Sequence, residues 1–132
     1  MNKLNQYSQV FLRVGISLVM IWFGSQQLSN ASSWVGFLPD WVSSIPLSAI
    51  TFVHLNGLFE VVLGALLLLG LFKRIAAVLL GLHLLGITIT IGYTALGVRD
   101  FGLTIALFSL ALSNDNTLSL DAKFEKKAEA TI

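Results

Sequence analysis

The chain has 132 residues, 55% of them apolar and only 11% charged, with a net charge of +1. Soluble domains carry about a quarter charged residues, and a chain this short has too much surface for its volume to hide so much apolar area from water, so the surrounding solvent is lipid. The small net charge provides no field to draw nucleic acid, and the absence of cysteine excludes disulfides, thiol relays, iron–sulfur ligation and thiolate zinc sites within the chain.

Four apolar runs follow in chain order. The first covers residues 7–28, and a polar stretch bearing aromatic residues follows it. The second covers 48–72 and closes on Lys73 and Arg74. The third covers 75–94, the fourth 98–113, and a polar tail runs over 114–132. Roughly 20 apolar residues at 1.5 Å rise cross a hydrocarbon core of ~30 Å. Three runs reach that length. The fourth is short, which places Arg99 and Asp100 at or just inside the membrane surface. No run alternates with the period of a barrel strand, so helices are left to satisfy the backbone in lipid. The expectation is an all-α integral membrane four-helix bundle forming a single transmembrane domain over residues 1–132.

Lys3, Lys73, Arg74, Lys123, Lys126 and Lys127 fall on one side of a four-span arrangement, and Arg99 alone falls on the other. That asymmetry predicts both termini in the cytoplasm, in the inner membrane of a prokaryote. Trp34, Trp41 and Tyr93 then lie at the opposite interface, where amphipathic rings collect. Trp34, Phe37, Pro39 and Trp41 read as a lid lying in that interface. A cleaved signal peptide is a rival reading of the first run, with Lys3 as its charged start and Ser29-Asn30-Ala31 as its cleavage site. Arg13 inside the apolar region, and the length of that region, argue against it. Asn30-Ala31-Ser32 fits a glycosylation pattern by chance, in a short loop close to the bilayer.

At 100° per residue, Gln6, Gln9, Arg13, Ser17, Met20, Gly24 and Gln27 share one stripe of the first run, which lipid should turn inward. Asn56 and Glu60 share a face of the second run, flanked by Gly57 and Gly64. His83, Gly86 and Thr90 share a face of the third. On the fourth, Gly102, Ala106, Ser109 and Ser113 form a small-residue ridge read as a packing surface, with Asp100 and Thr104 opposite it.

A charge at mid-membrane costs several kcal/mol unless paired or hydrated. Counting helical rise, Glu60 lies roughly 18 Å, His83 roughly 16 Å and Arg13 roughly 22 Å below the outer surface. The expectation is therefore an Arg13–Glu60 pair with His83 close by, serving either to lock the helices or to hold a small polar ligand, a quinone headgroup or a proton. His83 has a second reading as a hydrogen-bond partner of Glu60 or of a backbone carbonyl. Higher up, Gln27, His54, Asn56, Arg99 and Asp100 are candidates to line a pocket opening outward, although His54 lies about 120° from Glu60 on its helix. Haem ligation by His54 and His83 fits poorly, because their depths differ by roughly 7 Å. No spacing brings three metal ligands onto one helix.

Several motifs carry a family resemblance. Arg13-Val14-Gly15 and Trp22-Phe23-Gly24-Ser25-Gln26-Gln27-Leu28 open the chain. Gly57-Leu58-Phe59-Glu60-Val61-Val62-Leu63-Gly64 follows, then Leu69-Gly70-Leu71-Phe72-Lys73-Arg74. Arg99-Asp100-Phe101 opens the last span, and Leu118-Ser119-Leu120-Asp121-Ala122 lies in the tail. Over most of its length the chain resembles the DoxX-like family of small four-helix membrane proteins. Gln27 stands where that family often has a lysine. The resemblance implies a bundle of four membrane helices. Some relatives are subunits of thiosulfate:quinone oxidoreductases, and others are grouped with oxidative-stress systems.

Three functions follow as expectations. The first is a membrane subunit of a quinone-linked redox system, working with a redox partner subunit or as a homo-oligomer. The second is a non-enzymatic carrier or binding protein for a small solute. The third is an assembly subunit whose buried charges serve packing alone. The tail segment from Lys123 to Lys127 is expected to be solvated, in the cytoplasm, and to lean on anionic lipid.

Overall fold

The computed structural model describes residues 2–132. Five α-helices follow in order: α1 Lys3–Ser29, α2 Ala49–Leu69, α3 Lys73–Ile91, α4 Ala95–Leu112 and α5 Leu120–Thr131. Two 3-10 turns, Ala31–Phe37 and Asp40–Ser44, join α1 to α2. There is no strand among the described residues. The helices α1 to α4 are each long and apolar enough to cross a membrane. The protein is an all-α integral membrane bundle of four spanning helices.

Local chemistry sets the helix limits. Asn2, Ser48, Thr94 and Ser119 each place a side-chain oxygen on a first-turn amide of α1, α2, α4 and α5, which satisfies one of the orphan donors there. Gly70 ends α2 in the left-handed conformation, at φ 68°, as glycine commonly does just past a helix. Thr94 starts α4 at Ala95, so Arg99 and Asp100 stand in its second turn, deeper than the fourth apolar run implied, and Asp100 is buried.

The tightest packing joins α1 to α2 and α3 to α4, and these two hairpins meet across looser seams. Glycines make the α1–α2 seam. A Cβ built on Gly24 would lie 2.6 Å from the Gly57 carbonyl oxygen, and one on Gly57 would lie 2.7 Å from that of Gly24. Further along, Met20 and Ile21 face Gly64. The buried stripe of α1 is Arg13, Ile16, Ser17, Met20, Gly24 and Gln27, close to the stripe expected from spacing. On α4 the expected packing ridge is turned outward. The buried face is instead Gly97, Asp100, Thr104, Leu107, Leu110 and Ala111, and a Cβ on Gly102 would meet nothing within 4 Å. Large apolar side chains on that face bury more area than a small-residue ridge does.

The core of the bundle is one-sided. Ile16, Met20, Leu67, Ala77, Leu80, Leu107 and Leu110 fill the half nearer the two termini. The other half, under the 3-10 turns, is hollow.

Candidate functional site

The hollow half holds a cavity of about 520 Å³ lined by all four spanning helices and both 3-10 turns. Its walls are largely apolar, and Phe23, Trp34, Phe37, Trp41 and Phe52 contribute aromatic rings. Trp34 stands edge-on to Phe23 at 5.8 Å between ring centroids and packs against Phe37 at 5.9 Å. Trp41 meets Phe52 edge-on at 5.8 Å. The two 3-10 turns thus set Trp34, Phe37 and Trp41 against Phe23 of α1 and Phe52 of α2 at the mouth.

A chain of polar side chains forms the floor. Asn56 Nδ2 donates to Gln27 Oε1 at 2.7 Å. Gln27 Nε2 in turn donates to Glu60 Oε2 at 2.8 Å. The other carboxylate oxygen, Oε1, lies 3.1 Å from His83 Nε2. Glu60 is only 2% exposed, and a carboxylate that far from water needs such partners. Glu60 and His83 are thus in direct hydrogen-bond contact, close enough for a proton to pass between them. At the mouth, Arg99 Nε and Nη2 donate to Asp100 Oδ1 at 3.0 and 2.9 Å, and the guanidinium lies over the Phe23 ring, 4.7 Å from its centroid. Among the described residues no group of three His, Cys, Asp or Glu could hold a metal ion.

Gln27, Asn56, Glu60, His83, Arg99 and Asp100 are therefore brought together around the cavity. Arg13 and His54 are not. His54 is exposed on the outer face of α2, as its angle from Glu60 implies. Arg13 is buried at the other end of the bundle, beside Gly70, and the expected Arg13–Glu60 pair does not form. The reason is register. With Gly24 set against Gly57, Gln27 arrives at the level of Glu60, and Arg13 is then roughly 21 Å further along α1. Counting depth from the end of α1 fails because that helix stops below the mouth, and the 3-10 turns complete the crossing.

The hydrogen-bond partners of Arg13 lie in the tail. Arg13 Nη2 donates to the Leu118 carbonyl at 2.7 Å and Nη1 to that of Thr117 at 3.3 Å. Lys73 Nζ is buried against the Asp115 carbonyl. The Asp121 amide donates to the Gly70 carbonyl at 3.1 Å, and its carboxylate accepts from the amides of Phe72 at 2.9 Å and Lys73 at 3.0 Å. Residues 113–121 are thus stitched across the α2–α3 turn, while α5, which holds Lys123 to Lys127, buries none of its residues. Sequence reasoning missed this cluster. The available signal was a serine cap followed by an aspartate two residues on, Ser119 and Asp121, in a tail otherwise read by its charge.

The family model described as DoxX matches residues 8–93, nearly two thirds of the chain. Neither a curated protein nor a solved structure matches it. The matched stretch contains Gln27, Asn56, Glu60 and His83, whereas Arg99, Asp100 and the tail lie beyond it.

Proposed function

The chain belongs to the DoxX family, and from that premise we propose that it is a membrane subunit of a quinone-linked redox system whose cavity receives the quinone headgroup. The observation that carries this reading is the hydrogen-bonded chain Gln27–Glu60–His83 at the floor of an apolar cavity that bears aromatic rings. A quinone headgroup has a flat apolar body and two carbonyl oxygens. Aromatic walls suit the body, and a few converging polar groups suit the oxygens. Conversion between quinone and quinol moves two electrons and two protons. The electrons pass to or from a redox partner, and Glu60 and His83 hold the protons. With Nε2 engaged by Glu60, exchange with the ligand falls to His83 Nδ1. In this reading the termini lie in the cytoplasm, the membrane is the inner membrane of a prokaryote, and the mouth opens toward the outer leaflet.

The Arg99–Asp100 pair favours a second reading. The Arg99 side chain is 43% exposed at the mouth, where it would suit a small polar solute. Titration of the purified protein with a water-soluble quinone, read by quenching of tryptophan fluorescence, separates the two. Saturable quenching that weakens at least about tenfold in Glu60→Leu and in His83→Phe supports the quinone reading, since each removes a hydrogen-bonding group. Absence of quenching, together with solute uptake in vesicles, supports the second.

A further inference from the structure

On its α3 side the cavity is lined partly by small residues. Gly86 and Thr90 line it yet are exposed on the outer surface of α3, where Leu82 and Ile89 face the lipid. A Cβ on Gly86 would meet nothing within 4 Å. Toward the packed half, the gap between α2 and α3 is closed by the Glu60–His83 contact at 3.1 Å and by the Phe59 ring, 4.9 Å from that of His83. Between these groups and the mouth, Ile87 and Ile91 also line the cavity from α3, but the exposed positions there carry only the hydrogen of Gly86 and the short side chain of Thr90. Gly86 lies about 7–8 Å along the helix from the end of α3, so the gap meets hydrocarbon rather than water.

We propose that this α2–α3 gap is a lateral portal. A lipid-soluble ligand passes its headgroup inward from the bilayer, seats it at Glu60 and His83, and leaves its apolar tail lying past Gly86 into the lipid. The portal rests on the quinone reading for the identity of the headgroup. It adds a route and a specificity, because a tailed ligand needs the gap and a tail-less one does not. Glycine at position 86 is the determinant, since any larger side chain there stands where the tail must run.

The test uses the full chain in lipid nanodiscs with two probes, a dimethoxybenzoquinone without a tail and the same headgroup with a decyl tail. Each is titrated against tryptophan fluorescence. Gly86→Phe should weaken the tailed probe by about tenfold or more, because the ring then stands where the tail of a seated headgroup must pass. The tail-less probe should be unchanged. Gly102→Phe is the control, since Gly102 is equally free of neighbours and lines no part of this cavity. Thr90→Phe narrows the same gap one turn away and should act in the same sense should Gly86→Phe not fold. Unchanged binding of both probes overturns the portal and leaves the quinone reading standing. An equal loss for both also overturns it, because the new ring would then be closing the headgroup site itself. Failure of either probe to bind the unaltered protein overturns the quinone reading instead.

Discussion

Glu60 and Arg13 are each held by neighbours, but not by each other. Glu60 has one carboxylate oxygen on Gln27 and the other on His83. Glu60→Gln replaces one acceptor with a donor and sets it against either the Gln27 amide or the His83 ring. Arg13→Gln leaves the carbonyls of Thr117 and Leu118 without their charged donor. Each change should cost about 1–3 kcal/mol. The two sites share no partner and lie roughly 21 Å apart along the helix rise, so the double variant should lose the sum of the two, within about 0.5 kcal/mol. Thermal unfolding in detergent of both singles and the double checks this, and recovery in the double would show a direct contact. Gly24 presents a packing rather than a charge requirement. Gly24→Leu puts a side chain where only 2.6 Å separates its first carbon from the Gly57 oxygen. It should loosen the α1–α2 hairpin by about 1–3 kcal/mol or more, read as a lower melting temperature.

Among the elements, the segment before α5 acts as a cap for a helix distant in sequence. The α3 N-terminus has no side-chain cap of its own and begins at Phe72 in a left-handed conformation. Asp121 supplies the missing acceptor, and its negative charge also suits the positive end of the helix dipole. Asp121→Ala should cost about 1–2 kcal/mol, with faster hydrogen exchange at the amides of Phe72 and Lys73 while exchange in the buried core stays slow. The spans and their inward faces were legible because lipid imposes one rule on every turn of a helix: the polar stripe of α1 and the Asn56–Glu60 face follow from spacing alone. What spacing does not hold is the slide of one helix along another. The close approach of Gly24 to Gly57 sets that slide, and it decided that Gln27, not Arg13, reaches Glu60. The outward turn of the α4 ridge escaped for a related reason. Small residues mark a close contact only when a neighbour is present to make one.

At the scale of the whole molecule, one half is packed and the other is open, and the polar chain sits at their boundary. The excess of Lys and Arg at the packed end predicts that this end faces the cytoplasm. A reporter fused after Ile132 should be active in the cytoplasm and silent across the membrane; the opposite result would invert the proposed direction of the cavity. The same packed end imposes a schedule on biosynthesis. Arg13 and its carbonyl partners are 104 and 105 residues apart, and at a synthesis rate of ~5–20 residues per second the arginine waits roughly 5–20 s for them to be made. Lys73, whose carbonyl partner is Asp115, waits through a shorter version of the same delay. The packed end of the nascent bundle is thus incomplete until its last stretch arrives.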